Sequence, residues 1–409
     1  MNKFLKEFKD RGFFYQCTSE EELSKLLDKE KISGYIGFDC TAESLHVGSL
    51  LQIMCLRLLQ KHGHRPIVLL GGGTTRIGDP SGKDKTRKIL NEKEIDKNIK
   101  NIEKILKNFL DIKNPKTKPV FVNNYSWLKG LNYISFLRDI GKHFTINKML
   151  SFDSVKTRLE REQSLSYMEF NYMILQAYDF LELNKKKNCT LQIGGSDQWG
   201  NIVNGVELIK RYSNKQAYGL TTPLITLASG TKMGKTESGA IWLDKRFLSA
   251  YDYWQFWRNT DDRDVVKFLK IFTDLEISEI DNLNKNNINE LKILLANKAT
   301  AMLHGKKAAE NSELAAKEAF SGNNLGANLP SVKIKSKELD KQISILDLII
   351  LSKLVNSKSE IRRLFKGNAI KINNNLIKDE KLIIKNDIFN ENYLKLSIGK
   401  KKHIKIELI

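Results

Sequence analysis

Short apolar runs closed by glycine alternate with helical stretches over the first 230 or so residues. KISGYIGFD, Lys31–Asp39, reads as a buried strand. SLLQIMCLRLLQKHG, Ser49–Gly63, carries apolar residues at helical spacing and predicts a helix starting near Leu45 and closed by Gly63 and Pro66. PIVLLGGG, Pro66–Gly73, and CTLQIGGSD, Cys189–Asp197, repeat the pattern of an apolar strand stopped by glycine. Strand, helix, strand in this grammar predicts an open α/β sheet, whose ligands bind beyond the carboxyl ends of the strands. From about residue 245 to 320 the periodicity turns helical and β signals become scarce. SGNNLGANLPS, Ser321–Ser331, has the composition of a linker. SILDLIILSKLVNSKSEIRRLFKGNAIKINNNLIK, Ser344–Lys378, predicts two short helices, a turn and a strand.

Composition narrows this picture. The 409 residues suffice for two or three domains, and 41% hydrophobic residues suit a folded chain. No apolar run is long enough to span a bilayer, and MNKFLKEFKDRGFF has no apolar signal core. Cys17, Cys40, Cys55 and Cys189 are scattered with no CxxC pair, which points to a reducing, cytoplasmic setting. A net charge of +20 favours a polyanionic partner, nucleic acid first. With 54 lysines against 14 arginines, base-composition drift would produce the same excess, so charge by itself leaves the partner open.

Three stretches carry candidate chemistry. In YIGFDCTAESLHVGSL, Tyr35–Leu50, a strand ends at Asp39 and a helix follows, with Ser44 the expected N-cap. Free N–H groups at that helix start favour an anion, Gly48 admits a ligand closely, and His46 can donate to a phosphate oxygen. A merely structural histidine fits the same pattern. GDPSGKD, Gly78–Asp84, is not a Walker A loop, because the spacing before Lys83 is wrong and Asp84 stands where Ser or Thr is needed. SGTKMGKTESG, Ser229–Gly239, sets Lys232 and Lys235 in a glycine-flanked loop from which both can reach phosphates. In NYMILQAYDF, Tyr172, Gln176 and Asp179 fall at i, i+4 and i+7 and share one helix face.

Taken together, these stretches resemble class I aminoacyl-tRNA synthetases. The histidine turn is similar to their HIGH motif and the lysine loop to their KMSKS motif, in the same order. YIGFDCTAESLHVGSL, GDPSGK, YMEFNYMILQAYDF, LQIGGSDQWGNI and LITLASGTKMGKTESGAIWLD resemble the bacterial tyrosyl enzymes in particular. The resemblance spans the whole chain. It implies a Rossmann-like catalytic domain over residues 1–240 with a dimer-forming insertion near 120–165. A helical domain for the tRNA anticodon stem follows over 241–320, then a linker over 321–341 and an α+β, S4-like RNA-binding domain over 342–409. Ser49 departs from the pattern, standing where most members have the second histidine, and Cys40 stands where proline is common.

The resemblance also implies roles. Tyr35 and Asp179 would bond the hydroxyl of substrate tyrosine, and Asp79, Tyr172, Gln176 and Gln198 would surround its ammonium group. A site built to bond a hydroxyl rejects the analogue lacking it, because its own polar groups would stay unpaired. Gly37, Asp39, Gly48, Ser49, Gly195 and Asp197 would lie against ATP. Thr41 and His46 would contact its γ-phosphate, and Lys232, Lys235 and Thr236, with Lys83 and Arg87 from a second loop, would close over the phosphates. Magnesium would arrive with ATP and need no dedicated protein site. Arg362, Arg363, Lys366 and Lys371 would contact tRNA-Tyr, in a tail that holds 18 basic and 9 acidic residues from Ser331 onward. A homodimer formed through Leu137–Leu150 would let one tRNA touch both subunits. A tryptophanyl enzyme, a small nucleotidyltransferase and an RNA-binding protein without catalysis are the alternatives. The Tyr35/Asp179 pair, the S4-like tail and the intact His46, Lys232 and Lys235 argue against them.

Overall fold

The computed structural model describes residues 1–79, 90–231, 233–236, 239–321, 329, 331–339, 342–355, 357–390, 392–399 and 402–409. The chain forms two compact units, one of residues 1–244 with 261–291, the other of residues 245–260 with 292–409.

The first unit is built on six strands, β1 (Gln16–Cys17), β2 (Ser33–Phe38), β3 (Arg65–Leu70), β4 (Val120–Asn123), β5 (Cys189–Gly195) and β6 (Tyr218–Thr222). Their order across the sheet is β1-β6-β5-β2-β3-β4. From β6 to β4 all neighbours are parallel, and β1 pairs antiparallel at the β6 edge. The chain steps from β2 to β3 and β4 on one side, then returns to β5 and β6 on the other. Strand order therefore reverses between β2 and β5, which opens a crevice at their carboxyl ends.

β3 buries five consecutive residues and β5 six of seven, as strands covered on both faces must. Helices Leu50–Lys61, Tyr167–Lys187 and Trp199–Ser213 supply that cover. The first of them buries eight of its twelve residues and is apolar nearly all round. The N-terminal helix Lys3–Asp10 is tied to a distant segment by the buried Arg11. Its Nη1 donates to the carbonyls of Lys270 and Thr273 (2.7 and 3.0 Å), and its Nη2 donates to that of Leu275 (2.9 Å). These carbonyls lie at and just beyond the end of helix Val265–Phe272, where helices leave acceptors unsatisfied. A two-residue hairpin, β7 (Lys235–Thr236) against β8 (Gly239–Ala240), follows β6.

The second unit contains helices Ala250–Arg258 and Lys306–Ser321 and most of Ile288–His304. Its carboxyl-terminal part is a five-stranded sheet of β9 (Ser331–Ile334), β10 (Ile370–Ile372), β11 (Asn375–Leu376), β12 (Tyr393–Ile398) and β13 (Lys402–Leu408) in the order β11-β10-β12-β13-β9. Helices Ile345–Leu351 and Lys358–Lys366 share an apolar core with it, centred on Ile345, Leu348, Ile361, Leu394 and Ile406.

Two expectations are corrected here. The stretch 321–341, expected as a linker, already contains a strand: β9 pairs in parallel with β13, so Val332 and Ile334 belong to the sheet. The helical stretch 241–320 is also divided between the two units, because residues 261–291 pack with the first. Periodicity reports that a segment is helical, not which core its apolar face joins.

Candidate active site

A cavity of about 340 Å³ opens at the reversal between β2 and β5. It is lined by Tyr35, Gly37 and Asp39 from the end of β2, by Gly194, Gly195, Asp197 and Gln198 from the end of β5, and by Tyr172, Gln176 and Asp179 from helix Tyr167–Lys187. The helical spacing of the last three thus brings them to one wall. A capping box fixes the start of their helix, with Ser166 and Glu169 bonded reciprocally.

The inner end is built of buried polar groups. Asp179 is 1% exposed. Its Oδ1 accepts from the Trp127 indole N–H at 2.7 Å and its Oδ2 from the Asn124 amide at 2.9 Å. Asn124 is itself fully used: it donates also to Thr74 Oγ1 (3.0 Å) and accepts from the Gly73 N–H (2.7 Å). Burial pushes the Asp179 carboxyl up to about 7, against the opposing effect of those two donors. The Tyr35 hydroxyl is buried, its ring centroid lies 5.2 Å from that of Phe180, and among the described residues it has no hydrogen-bond partner. Burial, reinforced by the charge of Asp179, keeps that phenol protonated. A buried hydroxyl left unpaired costs free energy until a ligand supplies the partner.

Further out, Tyr172 donates to Asp39 Oδ1 at 3.2 Å. Gln198 Nε2 donates to Asp79 Oδ2 (3.0 Å) and Asp197 Oδ2 (3.2 Å), and Asn201 donates to Gln176 Oε1 and Gln198 Oε1, both at 3.1 Å. Asp39, Asp79, Asp179 and Asp197 all line the cavity, while no lysine or arginine does so among the described residues. This end suits a cation. A polyphosphate beside it needs positive charge from elsewhere.

The histidine turn reaches the outer end through Gly48; His46 and Ser49 are not among the lining residues. The expected N-cap is corrected: β2 stops at Phe38, Ser44 caps nothing, and helix Leu50–Lys61 starts five residues later than expected. The Ser44 hydroxyl donates to the Leu45 carbonyl and accepts the Asp244 N–H at 3.1 Å. Backbone pairing of Leu45 and Val47 with Leu243 and Ile241 uses up this stretch. The cap is His46, whose Nδ1 accepts the Gly48 N–H at 3.0 Å and so caps the short 3₁₀ turn Val47–Ser49. That bond leaves Nε2 to carry the imidazole proton and donate. A Cβ on Gly48 would lie 2.6 Å from His46 Cε1 and 3.1 Å from the Met233 carbonyl, so the turn requires glycine. Gly234, at φ +109°, lies against the same imidazole. Ser49 is half-buried and makes no capping bond to the helix it precedes.

Tyr35, Gly37, Asp39, Gly48, Asp79, Tyr172, Gln176, Asp179, Gly195, Asp197 and Gln198 therefore meet in one cavity. Thr41 is exposed and is not among its lining residues. Lys83, Arg87 and Lys232 lie outside the described residues, and of Lys235 and Thr236 only the backbone, on β7, is described. Arg362, Arg363 and Lys366 are exposed on helix Lys358–Lys366 and Lys371 on β10. Sequence reasoning missed Asn124, Trp127, Thr74 and Asn201. Asn124 follows the end of β4, the same kind of position that revealed the others, and that was its available signal.

Residues 27–321 match the family model for class I tRNA synthetases (W and Y), and residues 323–406 match the C-terminal domain of SYY-like tyrosine–tRNA ligases. The chain is 79% identical over 409 residues to a tyrosine–tRNA ligase of Pelagibacter ubique, covering all of both chains. It is 51% identical over 405 residues to a tyrosine–tRNA ligase of Agrobacterium fabrum, covering 98% of this chain and 97% of that one. A C-terminally truncated mitochondrial tyrosyl-tRNA synthetase of Aspergillus nidulans superposes with a TM-score of 0.69 at 30% identity, over 78% of this chain and 94% of that one. The chain belongs to the tyrosine–tRNA ligases, within the class I tRNA synthetases.

Proposed function

We propose that the chain activates L-tyrosine with ATP, forming tyrosyl-adenylate and pyrophosphate, and then transfers tyrosine to the 3′-terminal ribose of tRNA-Tyr. The observation that carries the reading is the buried Tyr35 hydroxyl, unpartnered among the described residues, in the same cavity as the fixed Asp179 carboxyl. A phenol entering there donates to Asp179 and accepts from Tyr35. Its ammonium then faces Asp79, Tyr172, Gln176 and Gln198, the carboxylate-rich part of the cavity.

The tyrosine carboxylate is ionised at neutral pH and attacks the α-phosphate without a general base. Catalysis comes from holding the reactants in line and from stabilising charge on the leaving pyrophosphate. Gly37, Asp39, Gly48, Ser49, Gly195 and Asp197 would hold the nucleotide, with the Asp197 carboxylate accepting from ribose hydroxyls. His46 donates from Nε2 to a phosphate oxygen, joined by Thr41. Four carboxylates in one cavity repel a polyphosphate, so the reading requires cations supplied from elsewhere in the chain, Lys83, Arg87, Lys232 and Lys235, with Thr236. Magnesium would come with ATP, held by the phosphates. Among the described residues no group of three or more metal-ligating side chains occurs.

Arg362, Arg363, Lys366 and Lys371 give the carboxyl-terminal part an exposed basic face for tRNA phosphates, and binding through it falls with salt. Exposed Tyr133, Ile134, Leu137, Ile146 and Leu150 support a homodimer formed through the insertion. A cytoplasmic location goes with this activity; among the described residues no helix is long and apolar enough to cross a membrane. The test is ATP–pyrophosphate exchange with each of the twenty amino acids. Exchange with tyrosine alone is expected. Exchange with tryptophan, or with none, would overturn the reading.

A further inference from the structure

One helical turn beyond Asp179 stands a second buried carboxylate that does not line the cavity. Glu182 is 7% exposed and follows Asp179 by three residues on the same helix, so the two side chains are neighbours. Its Oε2 accepts from Lys186 Nζ at 2.7 Å, and the Tyr178 hydroxyl bonds to it as well. Lys186 Nζ also sits 5.7 Å from the centroid of the Trp127 ring, the same indole whose N–H holds Asp179 Oδ1. Thus the Glu182–Lys186 pair reaches the substrate-facing carboxyl by two routes, through space along the helix and through Trp127.

We propose that Glu182 and Lys186 are a positioning pair that sets the charge state of Asp179, and with it the pH range over which tyrosine binds. The inference rests on the reading of the cavity as a tyrosine site. The ionised carboxyl accepts more strongly from the substrate phenol while Asn124 and Trp127 also donate to it; a protonated one gives up an acceptor site to its own proton and binds the phenol less well. Glu182 opposes that ionisation, in line with the upward push its charge adds to that of burial. Lys186 relieves it. The other titratable groups facing Asp179 are Tyr35 from β2 and Tyr172 and Tyr178 on its own helix, with Cys189 on β5 beyond Tyr35 and Asp39 and Asp79 beyond Tyr172. Burial keeps the three phenols and the thiol protonated, so Glu182 is the ionisable neighbour that can be removed without touching the cavity lining.

The test is tyrosine-dependent ATP–pyrophosphate exchange by the full chain from pH 5.5 to 8.5, for the wild type, Glu182→Gln, Lys186→Met and Lys186→Arg. In the wild type, KM for tyrosine is expected to rise as pH falls through about 7. Glu182→Gln should move that rise down by about half a unit, read as an about threefold lower KM at pH 6. Lys186→Met should move it up, Lys186→Arg should restore the wild-type profile, and KM for ATP should stay constant throughout. Superposable profiles for all four proteins would overturn the inference. So would a KM raised equally at every pH, which would mean that the pair only packs. Absence of tyrosine exchange in the wild type would instead overturn the reading of the cavity itself.

Discussion

The two ends of the cavity are built by opposite means. At the inner end, Asp179, Asn124, Trp127 and Tyr35 come from three different elements, are largely buried, and are locked by bonds to one another or by packing. At the outer end, Gly48 alone of the His46–Ser49 turn lines the cavity, and two glycines, Gly48 and Gly234, clear the space around the His46 imidazole. A small hydroxyl is told from its absence by fixed, dry partners, whereas a polyphosphate needs backbone N–H groups, charge and room. The difference predicts that changes at the inner end act on tyrosine affinity and changes at the outer end act on rate.

Four substitutions sharpen or break that division. The largest effect is expected for Asp179→Asn, an about 10²-fold loss of kcat/KM for tyrosine carried by KM, with KM for ATP unchanged in steady-state exchange. A loss carried by kcat would erase the distinction between the ends. His46→Ala should lower kcat by roughly 10- to 10²-fold while equilibrium dialysis finds tyrosine bound as before. Gly48→Ala, whose new methyl would strike the His46 ring, should cost about tenfold in the single-turnover rate of adenylate formation. Ser49→His should change ATP use least, by about threefold or less in KM, since the glycine and the histidine of the turn are already in place.

Asp179 also gives the inner end a signature in stability. Its folded pKa, about 7, lies above the unfolded value, so the folded state holds a proton that the unfolded state releases. The cost to stability is absent at low pH, grows as pH rises from about 4 and is complete above about 7. Asp179→Asn removes that cost. The melting temperature of the variant relative to wild type should therefore climb between pH 5 and pH 8, corresponding to on the order of 2 kcal/mol. A difference flat with pH would mean that Asp179 does not titrate in this window.

Much of this architecture was legible in the chain. Glycine-stopped apolar runs located β2, β3 and β5, and the i, i+4, i+7 spacing put Tyr172, Gln176 and Asp179 on one wall because a helix leaves no other choice. What escaped was decided by partners distant in sequence. Ser44 has the residue type of an N-cap, yet its hydroxyl is taken by Asp244, two hundred positions away. Asn124 and Trp127 look like ordinary loop residues until the helix carrying Asp179 is laid beside them. Val332 and Ile334 sit next to a glycine- and asparagine-rich stretch, and only their pairing with β13 makes them part of a sheet.

The Arg11 clasp has a consequence for how the protein is made. Its guanidinium leaves the ribosome 259 residues ahead of the Lys270 carbonyl, and its other two acceptors, those of Thr273 and Leu275, follow later still. Until that stretch has emerged, a residue destined for burial must remain in water. The amino-terminal helix is therefore expected to dock late in synthesis. Nascent chains stalled after residue 244 should lose their first residues to protease, and chains extended past residue 291 should keep them.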